Sequence, residues 1–127
     1  MALPYGATVL EHFRRPRNQR ALERPTASHE GYNPLCGDRV RIELDVDEGE
    51  NLIREAAFTA NACAICTASA SLLTERVTGA SVDSASQVTD EEILAALDAH
   101  LPAGRLLCAI LPVRTLREAL AGLRPRA

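Results

Sequence analysis

The sequence predicts an α+β fold, in which a small antiparallel sheet is followed by helices. Two patterns along the chain support this prediction. Residues 39–47 alternate between apolar and charged side chains, which is the period of a half-buried strand. From Ala64 onward the apolar side chains recur at helical spacing instead. Strands in the first half of a chain and helices in the second half are typical of this fold class.

The length and composition favour one domain over residues 1–127. The chain is long enough to bury a core without the help of disulfide bonds. Its 17 acidic side chains outnumber 14 basic ones, all of them arginine, and aromatic side chains are scarce. Neither property favours a nucleic-acid partner. We also expect no membrane partner and a cytoplasmic location, because the chain shows no signal peptide and no apolar run of about 18–20 residues.

The N-terminal part of the chain is predicted to form a short helix and a long loop. Residues 5–15 have apolar side chains at helical spacing, and Pro16 ends that pattern. Residues 16–35 hold three prolines among polar side chains, which predicts an irregular loop. A strand near residues 26–32 is an alternative for which the sequence shows no supporting pattern.

Two antiparallel strands and a turn follow this loop. The first strand is residues 39–47, the turn is residues 48–50, and the second strand is residues 52–60. A meander of two or three antiparallel strands is the natural result. The side chains on one face of the first strand are predicted to be Val40, Ile42, Leu44 and Val46.

Three helices are predicted in the second half of the chain. The first begins at Ala64 and extends to Gly79, a residue suited to a helix C-terminus. The second, residues 89–99, begins with a capping box. The third covers residues 105–123, and Pro112 should kink it or mark its true first turn.

The strongest functional signal is a thiol and a carboxylate two residues apart, Cys36 and Asp38. They follow Pro34 in a segment with turn chemistry, where no hydrophobic pattern explains a cysteine. Cys63 and Cys108 supply the rest of a four-ligand set of the kind that binds zinc or iron. Four cysteines in a cytosolic protein favour metal or redox chemistry over disulfide bonds.

The predicted elements allow these side chains to meet at one edge of the domain. Cys63 lies where the second strand gives way to a helix, and Cys108 lies in the first turns of the last helix. A cysteine at a helix N-terminus has its thiolate favoured by the unpaired amides and the helix dipole. Taken singly, Cys108 is equally well explained as a small buried hydrophobe, and Asp38 as a turn residue.

Cys66 allows a different interpretation. Cys63-x-x-Cys66 at a strand-to-helix junction has the spacing of a thiol–disulfide oxidoreductase motif. That alternative leaves Cys36, Asp38 and Cys108 without a role, and we interpret Cys66 as a structural residue packed among small side chains. Three histidines lack ligand-like spacing to the cysteines, and we expect surface or capping roles for them: His12, His29 and His100.

Four segments of the chain carry motifs that belong together. They are Tyr5–Asn18 with its Val-Leu-x-His-Phe-x-x-Pro-Arg-Asn pattern, Asn33–Asp38 with Asn-Pro-x-Cys-Gly-Asp, Cys63–Ser71 with Ala-Ser-Ala-Ser, and Arg105–Leu111. By these motifs and their order the chain resembles the U-type iron–sulfur cluster scaffold family, which comprises IscU, the N-terminal domain of NifU, and SufU. The resemblance extends over nearly the whole chain, and Cys-Gly-Asp paired with Cys-x-x-x-x-Ala-Ser is its most specific part.

The resemblance implies a fold, a ligand set and a cofactor. The fold would be a small antiparallel three-stranded sheet with helices packed on one face and a metal site exposed at one end. The site would bind a [2Fe–2S] cluster, with zinc able to fill the same ligands, and its aspartate would be the labile ligand that lets the cluster leave. The residues that match the family's three cysteines and its aspartate are Cys36, Asp38, Cys63 and Cys108.

The resemblance also implies a function. The protein would accept sulfur from a cysteine desulfurase as a persulfide, with Cys36 and Cys108 as the candidate acceptors. It would then assemble the cluster and pass it to apo iron–sulfur proteins, and so would be a scaffold rather than an enzyme. A homo-oligomer stays open as an alternative, because the sequence does not decide whether a cluster bridges two protomers.

Departures from the family pattern leave a second function open. IscU-type members have a histidine before the last cysteine and a Leu-Pro-Pro-Val-Lys segment recognised by a chaperone, whereas this chain has Leu107 and Leu101–Arg105 there. Like SufU members it has an arginine three residues before Cys108, yet it lacks their insertion between the second and third cysteines. The alternative is a zinc-bound, SufU-like sulfur acceptor with sulfurtransferase activity, working with a desulfurase.

Overall fold

The computed structural model describes residues 6–123 and arranges them as helices against one three-stranded sheet. The predicted start of the first helix, Tyr5, lies outside the described residues. No helix within residues 6–123 has both the length and the apolar character needed to cross a membrane. The elements in chain order are α1 Gly6–Arg14, β1 Ala27–Asn33, β2 Asp38–Asp47, β3 Leu52–Asn61, α2 Ala64–Val77, α3 Val82–Ser86, α4 Asp90–Leu97 and α5 Ala103–Ala121.

The sheet has the strand order β1-β2-β3, and both pairings are antiparallel. The prediction of an irregular loop over residues 16–35 is wrong for residues 27–33, which form β1. This strand has no apolar alternation because its inward positions include Gly31 and Asn33. On the central strand, β2, the predicted inner face is confirmed by the burial of Val40, Ile42, Leu44 and Val46.

Helices cover one face of the sheet, which confirms the predicted fold class. α5 packs against β1 and β2, α2 packs against β3, and α1 packs against α2. The approach of α5 to β1 is close because Gly31 has no Cβ, and an added Cβ would overlap the hydroxyl oxygen of Thr115. Small side chains on α2 likewise allow this helix to pack closely against its neighbours. Those that are fully buried include Ala68, Ser69, Ala70 and Ser71.

The segment between α1 and β1 crosses the opposite face of the sheet. It first passes the outer edge of β3, where the Phe58 amide donates to the Asn18 carbonyl oxygen at 2.9 Å. It then reaches the central strand, where the Glu43 carboxylate accepts the Leu22 N–H at 2.9 Å. Glu43 is consequently buried, although it faces away from the helices.

The helix ends agree with the local sequence signals in most places. Thr89 caps α4 as predicted, since its hydroxyl oxygen accepts the Glu92 N–H at 3.1 Å. α4 ends at Leu97, two residues earlier than expected, because Asp98 adopts a left-handed φ of 50°. Pro112 does not mark the first turn of α5, which begins at Ala103 and continues past the proline. The short helix α3 was not predicted.

The three histidines differ in their surroundings. His29 and His100 are exposed, whereas His12 is buried at the contact between α1 and α2. The His12 Nδ1 atom lies 2.8 Å from the Ser71 hydroxyl oxygen, which also accepts the Arg17 N–H at 2.8 Å. The expected surface role is therefore wrong for His12, because Ser71 offers its ring a hydrogen-bond partner inside the protein.

Candidate metal centre

One end of the sheet gathers the predicted site residues. β1 ends at Asn33 and β2 begins at Asp38, so the loop of residues 34–37 projects from this end. Arg39 of β2 pairs with Asn61 of β3, which places the end of β3 beside the start of β2. The chain enters α2 directly after β3, and antiparallel pairing therefore brings the segments of the first two site cysteines together.

Backbone hydrogen bonds shape the loop that carries Cys36. The Asn33 carbonyl oxygen accepts the N–H of Gly37 at 2.8 Å and the N–H of Cys36 at 3.3 Å. Gly37 has a φ of +74°, a left-handed conformation that glycine adopts without steric cost. Cys36 is exposed on this loop, so an approaching protein can reach its thiol.

Asp38 connects the start of β2 to the start of α2. Its Oδ1 atom accepts the Cys63 N–H at 2.9 Å, and its Oδ2 atom lies 3.8 Å from the Cys63 sulfur. Cys63 is the N-cap residue of α2, where unpaired amide groups favour negative charge. The buried carboxylate thus lies at the positive end of a helix and beside the second thiol.

Cys108 approaches the loop from the second turn of α5. Its side chain is fully buried, and its sulfur lies 3.3 Å from the Cys36 sulfur. Burial raises the pKa of the Cys108 thiol, and hydrogen bonds with Asp38 and Cys36 raise it further. A metal that binds here has to displace the proton of this thiol, because the thiolate is the form that ligates metal.

The four residues together form a donor set that fits a metal. Ligand atoms of Cys36, Asp38 and Cys108 all lie within 4.8 Å of one another, and Cys63 adjoins Asp38. Three sulfur atoms and one carboxylate oxygen suit zinc or the iron of a cluster, because both favour thiolate ligands. The structure thus brings three of the predicted ligands into one cluster and places Cys63 beside it, 3.8 Å from Asp38 Oδ2. The binding of a metal by these residues stays a prediction.

Cys66 lies in the first turn of α2 and is fully buried. Burial raises the pKa of its thiol, and the nearby groups of Asp38, Cys63 and Cys36 raise it further. Unlike Cys108, Cys66 is not among the residues whose ligand atoms lie within 4.8 Å of one another at this site. The predicted structural role of Cys66 agrees with this position and stays a prediction.

Asn33 also contacts the site, although no sequence pattern indicated a role for it. Its side-chain Nδ2 atom lies 4.0 Å from the Cys108 sulfur, and its Oδ1 atom accepts the Leu35 N–H at 3.1 Å. The signal available in the sequence is the Asn-Pro pair ahead of Cys36. That pair is equally typical of an ordinary turn.

The chain belongs to the NifU-like N-terminal domain family, whose sequence model matches residues 4–127. It is 35% identical over 120 residues to the nitrogen fixation protein NifU of Azotobacter chroococcum mcd 1, an alignment that covers 94% of this chain and 38% of that protein. It is 31% identical over 123 residues to the iron–sulfur cluster assembly scaffold protein IscU of Rickettsia prowazekii, with 94% and 91% covered. The chain therefore spans well under half of that NifU and most of that IscU.

A solved structure shows the same architecture. The N-terminal part of a nitrogen-fixing NifU-like protein from Brucella abortus matches with a TM-score of 0.75 at 18% identity, covering 93% of this chain and 92% of that one. A likeness at this level of identity shows a shared fold. The fold and the family that the sequence motifs implied are thereby confirmed.

Proposed function

We propose that this chain is a scaffold on which an iron–sulfur cluster is assembled and from which it passes to apo iron–sulfur proteins. The observation that carries the proposal is the convergence of three thiols and one carboxylate at one end of the sheet. Similarity over most of the chain to a protein named as an IscU scaffold supports it. In this proposal the cargo is a [2Fe–2S] cluster, and its ligands are Cys36, Asp38, Cys63 and Cys108.

The sulfur in this scheme comes from the persulfide of a cysteine desulfurase. The thiolate of an acceptor cysteine attacks the outer sulfur of that persulfide, so a new S–S bond forms here and the donor cysteine leaves as a thiolate. Cys36 suits the first contact because it is exposed, and the Cys108 sulfur lies 3.3 Å behind it. Sulfur bound to either residue would already lie inside the ligand cluster. An external electron donor, a thiol or a redox protein, then has to supply two electrons per sulfur, which break the S–S bond into sulfide and the cysteine thiolate.

The mixed ligand set suits temporary binding of a cluster. A carboxylate oxygen binds iron less durably than a thiolate does. Asp38 also has an alternative partner, because its Oδ1 atom accepts the Cys63 N–H at 2.9 Å when no metal is bound. One weak ligand beside three thiolates favours release of a cargo over the permanent binding of an electron-transfer centre.

Analysis of the protein purified without oxygen tests the proposal. We expect about two iron and about two sulfide ions per site, with sulfur-to-iron bands in the visible absorption spectrum. A colourless protein that binds one zinc ion tightly and resists reconstitution with iron and sulfide would contradict the scaffold. That result would favour the zinc-bound sulfur acceptor instead.

Two cysteines of the same region provide a matched pair of variants. Cys63→Ser removes a proposed ligand and is expected to abolish loading with iron and sulfide. Cys66→Ser removes a thiol one helical turn further along and is expected to load like the wild type. Iron and acid-labile sulfide are measured per folded protein, with circular dichroism to check the fold. Full loading of Cys63→Ser would contradict its assignment, and loss of loading in Cys66→Ser would contradict its structural role.

A further inference from the structure

We propose that Asn33 is a positioning residue that donates a hydrogen bond to the ligand sulfur of Cys108. The inference rests on the proposed function, since it requires that Cys108 bind a metal or a cluster. Asn33 is the last residue of β1 and is buried, and its Nδ2 atom lies 4.0 Å from the Cys108 sulfur. A separation of 4.0 Å is the outer limit of an N–H···S hydrogen bond, which is longer than one to oxygen because sulfur has the larger radius.

The orientation of the Asn33 amide follows from its second contact. Its Oδ1 atom accepts the backbone N–H of Leu35 at 3.1 Å. A backbone N–H can only donate, so the oxygen of the amide has to face Leu35. The NH₂ group is thereby directed toward Cys108, and one side chain serves both the Cys36 loop and the Cys108 sulfur.

The backbone of Asn33 adds two further connections to the site. Its carbonyl oxygen accepts the N–H groups of Cys36 and Gly37. Asn33 is also the strand partner of Asp38 in the pairing of β1 with β2. Asn33 thus adjoins three of the four proposed ligands, which makes it suited to fixing the distances between them.

Metal binding changes which hydrogen bonds the Cys108 sulfur can keep. The thiols of Cys36 and Cys108 contact each other through an S–H hydrogen bond, with 3.3 Å between the sulfur atoms. That S–H hydrogen bond is lost when both residues become thiolate ligands. Asn33 is not itself a ligand, so its N–H donor remains available to a sulfur that is buried away from water. Donors of this kind orient ligands and tune the bound metal.

Cobalt(II), used alone as a probe, tests the inference. Asn33→Asp keeps an oxygen for the Leu35 N–H but loses the N–H donor. We expect its sulfur-to-cobalt charge-transfer band to move to lower energy. The ligand sulfur of Cys108 loses the hydrogen bond from Asn33 that lowered the energy of its lone pair. We also expect Co²⁺ to dissociate into a chelator about tenfold faster than from the wild type. A purely structural loss of affinity would leave the energy of the band unchanged.

Two further variants separate the donor from charge and from folding. Asn61→Asp makes the same change on an exposed residue at the same end of the sheet, and should keep the wild-type band and rate. Asn33→Ala introduces no charge and has no donor, and should shift the band in the same direction as Asn33→Asp. Unchanged bands in both Asn33 variants, or an equal shift in Asn61→Asp, would overturn the inference and leave the proposed function intact. Wild-type protein that binds no Co²⁺ would overturn both.

Discussion

Asp38 is the residue whose chemistry most directly decides how long a cluster would stay. It is the one oxygen ligand in the proposed set, and a carboxylate holds iron less durably than a thiolate. The Cys63 N–H also competes with a metal for this carboxylate, because it donates to the Asp38 Oδ1 atom at 2.9 Å. Release of a cluster is therefore expected to begin at Asp38.

The variant Asp38→Ala is expected to bind a cluster that survives severalfold longer in air, because the ligand that begins release is gone. The decay of the visible absorption after exposure to air measures this lifetime. Asp45→Ala is the control, since Asp45 lies on the same strand and contacts Arg54 at 3.7 Å outside the site. Its cluster should decay at the wild-type rate. Faster decay in Asp38→Ala would contradict the proposed role.

At the scale of elements, the contact between β1 and α5 decides whether Cys108 reaches the loop. Gly31 permits this contact, because the Thr115 side chain occupies the space that a Cβ would need. Thr115 is held in place by a hydrogen bond from its hydroxyl group to the Leu111 carbonyl oxygen at 2.8 Å. Asn33 ends β1 and Cys108 belongs to α5, so the spacing of these elements also sets the width of the site.

We expect Gly31→Ala to lower the free energy of unfolding by about 1–3 kcal/mol, because the new methyl group overpacks the contact. Urea denaturation measures this change, and Co²⁺ retention should fall with it. Gly104→Ala, in the first turn of α5 with no atom within 4 Å of an added Cβ, should leave the free energy of unfolding unchanged or raise it by up to about 1 kcal/mol, because alanine favours a helix more than glycine does. The double variant Gly31→Ala with Thr115→Ala should recover part of the free energy of unfolding that Gly31→Ala loses. Wild-type stability of Gly31→Ala would show that the contact accommodates a methyl group.

At the scale of the whole molecule, a partly buried polar cluster attaches α1 to the rest of the fold. His12 and the Arg17 backbone both bond to Ser71 of α2, and the Arg17 side chain lies 2.7 Å from Glu11. Burial lowers the pKa of His12 and the charge of Arg17 lowers it further, while Glu75 and Glu11 act in the opposite direction. The folded protein therefore favours a neutral His12.

This lowered pKa predicts the pH dependence of stability. The unfolded chain binds a proton at His12 more readily than the folded protein does, so the free energy of unfolding should decrease as the pH falls below about 6.5. Chemical denaturation between about pH 7.5 and about pH 5.5 measures the slope. His12→Gln should flatten it, whereas His29→Gln, on an exposed residue of β1, should not. A wild-type slope in His12→Gln would contradict the assignment.

Much of this molecule could be predicted because its signals are local. The alternation along β2 requires only that one face of a strand be buried, and the capping box at Thr89 requires only its own turn. The family motifs likewise predict the proposed ligands, since Cys36 and Asp38 lie in one short segment whose composition no core pattern explains. These features depend on neighbours in the sequence, and the sequence therefore displays them.

Other features depended on residues far apart in the chain. β1 is a strand because β2 pairs with it and α5 covers it, although its inward residues include Gly31 and Asn33. His12 is buried where its ring contacts the Ser71 hydroxyl group. The Asn33 side chain contacts the Cys108 sulfur, although the two residues are 75 positions apart in the chain. The proposed ligands could be named from the sequence, whereas the tertiary structure decided which side chains surround them. The reason is that packing, rather than local periodicity, sets the distance between segments that the sequence separates.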